Sequence, residues 1–237
     1  MITFLYLFYN NHRILSKHIE EWNQYPHEVK SQVKFILIDD GSAIPLVIPS
    51  CDINLEVFRI EKDIPWNVTG ARNLGFCMAS TEYVFTSDMD ALFPRDSAKK
   101  LIDALPRVNT RTLYWFPRKD MKGNHEKDRH LLTIMLSKRL YWEVGGMDED
   151  FAGKWGYEDL DFIRRIPPEE TSLIRASVIN YKDFDDASTT TISREITNES
   201  LGRDKKYGVV PTSRQYLRFP WRKVHEQYYS RDPVLQS

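Results

Sequence analysis

Cysteine is scarce: Cys51 and Cys77 are the only two in 237 residues. They match neither a metal-ligand spacing nor a disulfide framework, so a zinc module and a disulfide-stapled secreted scaffold are excluded, and a reduced, cytoplasmic setting is expected. Long apolar runs are also missing. The opening segment Ile2–Tyr9 is too short to span a bilayer, and it lacks the basic flank and small-residue cleavage site of a signal peptide. It reads as a first strand. No charge dominates either, with 33 basic and 34 acidic residues and a net charge of -1, which removes the global electrostatic case for nucleic acid. Internal repeats and low-complexity tracts are absent. The sequons at Asn67 and Asn198 matter only on a secretory route and are read as accidental. What remains, 41% hydrophobic and 28% charged, suits one α/β domain or one domain with a tail.

Strand and helix signals alternate through the first half. Ile14, Leu15, His18, Ile19 and Trp22 recur at spacings of three and four, predicting a helix that ends near Pro26. The run Gln32–Ile38 reads as a strand ending in Asp39-Asp40-Gly41-Ser42, and Leu55–Ile60 alternates like a half-exposed strand. A loop and helix follow over Asn67–Ala79, and then the apolar run from Tyr83. This alternation predicts a mostly parallel sheet covered by helices. Further on, the pattern predicts a helix over Ser97–Leu105, strands over Thr112–Phe116 and Leu131–Leu136, and a helix over Lys138–Val144 broken by Gly145 and Gly146. The charged, Gly-containing stretch 118–130 is expected to be a mobile loop, and the polar stretch from Ser188 to Tyr207 to be flexible. The tail from Tyr216 to Arg231, with Trp221, Tyr228 and Tyr229 among basic residues, is expected to pack across the domain with its charges in water. Its composition leaves peripheral contact with a membrane surface open.

The run from Tyr83 ends abruptly in Asp88-Met89-Asp90. Two carboxylates one residue apart at a strand exit need positive charge between them. A hard divalent cation, Mg²⁺ or Mn²⁺, takes such oxygen ligands and shares them with phosphate. An EF-hand is excluded, since Phe93 stands where the loop requires Gly and Pro94 follows. A haloacid-dehalogenase phosphatase would carry the pair on the first strand. Polar groups also end two other predicted strands, at Tyr9-Asn10 and Asp39-Asp40, and ligands of open α/β sheets bind beyond the carboxyl ends of the strands. Asp40 suits a hydrogen bond from a base N–H, Tyr9 suits stacking on that base, and Arg72 at a helix start suits a phosphate. Later in the chain, Trp155-Gly156-Tyr157-Glu158-Asp159-Leu160-Asp161 places an aromatic face for a sugar beside three acids. One acid is accounted for by helix capping; three exceed that need, and an ionised carboxylate beside a sugar hydroxyl is a general base.

These motifs together resemble an inverting glycosyltransferase of the GT-A (nucleotide-diphospho-sugar transferase) fold, in the large family 2-like group. The matches are Tyr9-Asn10, Ile38-Asp39-Asp40-Gly41-Ser42, Asn67-x-x-Gly70-Ala71-Arg72-Asn73-x-Gly75 and Asp88-x-Asp90, in family order. The Trp155–Asp159 block resembles the W-G-x-E-D segment of galactosyltransferase and chondroitin-polymerase-type domains. The resemblance implies a single α/β domain over residues 1–185, with a nucleotide-binding half (1–95), an acceptor-binding half (96–185) and an extension (186–237). It implies transfer of a hexosyl or N-acetylhexosaminyl group from a UDP-sugar to a carbohydrate or glycoconjugate hydroxyl, as in polysaccharide biosynthesis. Tyr9 and Asp40 would hold the base, Arg72 would support the nucleotide, Asp88 would reach ribose and metal, and Asp90 would ligate Mn²⁺ or Mg²⁺. Asp159 would be the base, Glu158 would orient the acceptor, and Trp155 and Gly156 would line the sugar site on a closing loop.

Three departures stand out. Leu7 replaces a small polar residue, so one contact to the base is expected to be missing. Relatives supply a His ligand after the E-D helix, whereas Val178–Asp183 holds none; Asp183, His225 or water are the substitutes, and His125 and His130 are expected to be surface residues. The alternatives are an inactive sugar- or nucleotide-binding domain, which has no need of Asp159, and a sugar nucleotidyltransferase. The latter needs a Gly-rich loop that Phe8–Arg13 lacks.

Overall fold

Ile2–Phe8 (β1) is buried on both faces, the pattern of a central strand, and it takes the middle of an eight-stranded sheet. The computed structural model describes residues 1–125, 130–180, 193, 195–210 and 212–230. After β1 the chain runs through α1 (His12–Asn23), α2 (His27–Lys30), β2 (Val33–Asp40), β3 (Leu55–Ile60), α3 (Val68–Met78) and β4 (Tyr83–Asp88). Next come β5 (Ala91–Leu92), α4 (Arg95–Ala104), β6 (Leu113–Trp115), β7 (Arg118–Lys119), β8 (Ile134–Ser137), α5 (Lys138–Glu143) and α6 (Glu158–Arg164). The last elements are β9 (Thr171–Leu173), β10 (Val178–Asn180), α7 (Glu199–Asp204) and β11 (Trp221–Gln227).

The sheet order is β11-β3-β2-β1-β4-β8-β6-β9. It is parallel through β3, β2, β1 and β4, with β11 and β8 antiparallel to their neighbours. The two faces of β1 enter different cores. Phe4, Tyr6 and Phe8 meet the apolar face of α1, while Leu5 packs with α3, α5 and α6. The five residues whose spacing predicts α1 are all buried, and Asn11 starts the helix by accepting a hydrogen bond from the Ile14 amide at 3.1 Å. The result is a single α/β domain of the GT-A kind, a large central sheet flanked by helices.

The expected mobile stretch 118–130 is different in its described part. Arg118–Lys119 pairs parallel with β10, β5 pairs antiparallel with the same strand, and Lys119 bridges to His125. This small second sheet follows directly on the Asp88–Asp90 turn. The tail extends the main sheet: β11 pairs antiparallel with β3. As an edge strand it carries Arg222, Lys223 and Glu226 and a register shift after Lys223, features that block further pairing. Asp183, the 188–192 stretch and Arg231 lie outside the described residues. Among those described, no helix is long and apolar enough to cross a membrane.

Candidate active site

Because β1, β2 and β4 are parallel and in register, their carboxyl ends finish level. Phe8 lies opposite Asp39, and Leu7 lies opposite both Ile38 and Asp88. Strand order reverses direction at β1, with β2 on one side and β4 on the other, which opens a crevice at this edge. Tyr9, Asp40 and Asp88 line that edge.

The two neighbouring acids of β2 have different fates. Asp39 is fully buried, bonded by Arg59 at 2.5 Å and by the Ser42 amide at 3.0 Å, and so is structural. Asp40 is half-buried and accepts a 2.9 Å hydrogen bond from Asn67. Its carboxyl is pushed up to about 7 by burial, with Asp39 and Asp63 adding to the shift against the Asn67 hydrogen bond. Gly41 has φ +74, and a Cβ there would stand 2.8 Å from the Asp63 Cα. Only glycine permits that approach. Across it, Tyr9 donates its hydroxyl to Asp63 at 3.2 Å, which fixes the ring at the mouth of the crevice.

Arg72, expected at a helix start, lies a turn into α3, 1% exposed, with its guanidinium on Asp88. Burial raises the Asp88 carboxyl, but Arg72 and then His130 outweigh it and hold the group below its ordinary range. Asp90 goes the other way, raised by burial and by Asp88. Its Oδ1 is buried without a hydrogen-bond partner. His130 corrects the sequence reading, which put it on the surface. It is half-buried, its Nε2 is 3.5 Å from Asp88, and its Nδ1 is buried and unpartnered. Ligand atoms of Asp88, Asp90 and His130 all lie within 4.8 Å of one another. Two carboxylates and an imidazole with orphaned buried atoms fit a divalent cation by donor chemistry and by unmet hydrogen bonding. His130 escaped detection because its partners are some forty residues away in sequence and meet it only through the β4–β8 pairing. His125 is exposed and His225 lies on β11 at the far edge of the sheet.

The second half of the site is built around the turn Pro65-Trp66-Asn67, of which the sequence motifs include only Asn67. Pro65 accepts a hydrogen bond from the Gly153 amide at 2.7 Å, Trp66 donates its indole N–H to Glu158 at 3.0 Å, and Asn67 reaches Asp40. Three consecutive residues thus clasp the Trp155 loop, the acidic helix and the carboxyl end of β2. Trp66 holds φ +48, an uncommon backbone for a bulky residue, and its ring meets Trp155 edge-on at 6.3 Å. Asn198 closes the loop from the other side, donating to the carbonyls of Phe151 and Lys154. Both sequon asparagines are therefore buried with their amides engaged, and neither can carry a glycan in this fold.

Helix α6 begins at two consecutive left-handed residues, Gly156 and Tyr157. None of the three acids caps it through the residue before Glu158, which is Tyr157 and makes no side-chain cap. Asp161 is buried and paired with Arg165, a structural role. Asp159 is half-buried and bonded only locally, accepting from the Leu160 amide at 2.7 Å. Burial raises its carboxyl, while the Leu160 amide, His130 and Arg72 pull it back. The last two bring the metal-type cluster within electrostatic reach of Asp159. Glu158 is 6% exposed, and burial pushes it up to about 7.

A carboxyl with a raised folded pKa contributes stability that is full below its unfolded value and lost as pH rises through the folded one. Wild type should accordingly lose stability between about pH 4.5 and 7 through Glu158. Glu158→Gln, with no proton to lose, should gain on wild type across that window by at most about 3 kcal/mol. Urea unfolding at pH 5 and pH 8 measures the gap; an equal gap at both would remove this account of Glu158.

The fold is that of the GT-A class of nucleotide-diphospho-sugar transferases. The sequence pattern of glycosyl transferase family 2 matches residues 9–158, and the chain belongs to that family. A second pattern, the N-terminal domain of galactosyltransferase, matches residues 131–186. No curated protein matches the sequence. Among solved structures, S. aureus TarS 1-349 in complex with UDP-GlcNAc is similar with a TM-score of 0.60 at 14% identity, covering 81% of this chain and 62% of that one. TarS 1-349 without that ligand gives 0.59 at 14% identity, covering 86% and 72%. Full TarS gives 0.57 at 13% identity over 90% of this chain and 44% of its own. The chain thus spans less than two thirds of the length of TarS 1-349 in the first comparison.

Proposed function

We propose that this protein is a metal-dependent inverting glycosyltransferase that moves a hexosyl or N-acetylhexosaminyl group from a UDP-sugar to a carbohydrate hydroxyl. The observation that carries the reading is the meeting of Asp88, Asp90 and His130 at the sheet edge, with Asp159 within electrostatic reach of His130. The TarS complexes with UDP-GlcNAc and with UDP support the choice of uridine nucleotide. Tyr9 and Asp40 hold the base, and residues 1–95 form the nucleotide half. Residues 96–185 form the acceptor half, and 186–237 are an extension whose β11 joins the sheet. The two free cysteines support a reduced compartment such as the cytoplasm.

Asp88, Asp90 and His130 would hold Mn²⁺ or Mg²⁺, which when bound neutralises the charge that develops on the departing diphosphate. Arg72 keeps Asp88 ionised for that task. Asp159 takes the proton of the acceptor hydroxyl as its oxygen attacks the anomeric carbon. The new carbon–oxygen bond forms on the face opposite the breaking bond to phosphate, so configuration inverts. Desolvation makes Asp159 a stronger base than a solvated carboxylate. Glu158, held through one oxygen by Trp66, has its other oxygen buried and unpartnered, ready for an acceptor hydroxyl. Trp155 and Gly156 form the loop that covers the sugar, with the indole face against the ring.

Calorimetric titration with UDP, GDP and dTDP, each with and without Mn²⁺, tests the donor assignment. UDP should bind at least about tenfold more tightly with the metal than without it. Equal binding under both conditions, or no nucleotide binding at all, would overturn the metal-dependent reading.

A further inference from the structure

One hydrogen bond ties helix α1 to the acidic turn after β4. His18 is fully buried, and its ring lies 5.0 Å from that of Tyr6 and 5.3 Å from that of Trp22. Its Nε2 stands 2.8 Å from the carbonyl oxygen of Met89, the residue between the two aspartates. A carbonyl only accepts, so Nε2 carries the hydrogen and donates. The peptide that begins at that carbonyl is planar, so holding the oxygen fixes the plane from which the Asp90 backbone continues.

The three residues of the turn are held differently. Asp88 is held by the Arg72 guanidinium, and Met89 by His18 on its main chain and by the apolar core around its side chain. Asp90 Oδ1 is buried without a hydrogen-bond partner, and its carboxyl stands within 4.8 Å of ligand atoms of Asp88 and His130. A buried carboxylate facing a like charge would turn away if its backbone were free. Beyond it, Ala91 and Leu92 are fixed by β10. The free dihedrals between Asp88 and Ala91 are few, and the Met89 peptide is the one gripped from outside the turn.

We propose that His18 is a positioning residue of the metal–nucleotide site, presenting Asp90 toward Asp88 and His130 through its grip on the Met89 carbonyl. This rests on the reading of those three residues as metal ligands. A purely structural histidine in an aromatic core would affect stability and leave metal affinity alone. Partners that orient ligands from behind typically change metal affinity by about 10–100-fold when removed.

The test titrates Mn²⁺ alone, and Mn²⁺ with UDP, against the full chain, reading free Mn²⁺ by its paramagnetic resonance signal. Wild type is compared with His18→Phe, His18→Gln and Asp90→Asn, and thermal melts are run in parallel. Phe fills the aromatic site without a donor, while the Gln side-chain N–H reaches the place of Nε2. The expected result is a cooperative melt for His18→Phe with Mn²⁺ affinity lowered by at least about tenfold, and His18→Gln within about threefold of wild type. Should His18→Phe not melt cooperatively, His18→Met, flexible and without a donor, takes its place in the comparison. Wild-type affinity in the folded donor-free variant, with binding lost in Asp90→Asn, would overturn the role of His18 and spare the metal site. Equal loss in the Gln and donor-free variants would overturn the hydrogen-bond account. A folded wild type that binds no Mn²⁺ would remove the metal reading and the positioning role together.

Discussion

Asp159→Asn should lower sugar transfer by about 10³-fold, within the range that a general base supplies, while nucleotide binding stays near wild type. The geometry sets this expectation. The Asp159 side chain accepts from the amide of its own neighbour Leu160 at 2.7 Å, and no distant side chain claims it. Stability should be equal or slightly higher, because burial penalises the ionised form and Asn carries no charge. Single-turnover transfer from a UDP-sugar, with calorimetry of UDP on the same preparation, measures both quantities. A turnover near wild type would end the assignment of Asp159 as base. A larger loss in Glu158→Gln than in Asp159→Asn would exchange the roles of the two carboxyls.

Asp90→Asn should separate stability from binding. Its carboxylate is raised by burial and by the charge of Asp88, so in the metal-free protein it is a source of repulsion. Removing the charge should raise the melting temperature without metal and reduce Mn²⁺-dependent UDP binding by roughly 100-fold, the upper part of the range for disrupted metal sites. His130→Ala should weaken the same binding by about tenfold, since an imidazole supplies one ligand atom and no net charge. Asp88→Ala is predicted to behave differently from both. It leaves the guanidinium of Arg72, 1% exposed, without its partner. Breaking such a pair should cost on the order of 2 kcal/mol, a buried-pair figure reduced for the partial exposure of Asp88. Mn²⁺-dependent nucleotide binding that stays at the wild-type level in all three variants would place the metal elsewhere. A lower melting temperature for Asp90→Asn would show that its charge is paired in a way the unpartnered Oδ1 does not suggest.

The family lies in the amino-acid sequence because its motifs are local. An apolar run followed by carboxylates marks a strand end, and parallel strands joined by helices must finish on one edge, so Asp40, Asp88 and Tyr9 converge by topology alone. The spacing of Ile14, Leu15, His18, Ile19 and Trp22 likewise predicts both α1 and its buried face. Helix and strand periodicity are properties of neighbouring residues, and neighbours are what a sequence displays. The roles within the carboxylate pairs are another matter. Nothing in Asp39-Asp40 says that Arg59 claims the first and leaves the second to the crevice, and nothing in Glu158-Asp159-Leu160-Asp161 says that Arg165 claims the last. His130 reads as a surface residue of a charged loop until β8 pairs with β4, and Trp66 reads as a loop aromatic until it meets Glu158. Likewise, His18 reads as one more residue on a helix face until the turn at Met89 folds over it. A side chain's partner is decided by long-range packing, and packing alone sets which charges are desolvated. The sequence by itself determined the fold class, the family and the sheet edge on which the candidate site residues gather; the tertiary structure decided which side chains at that edge are spent on holding it together and which are left unclaimed.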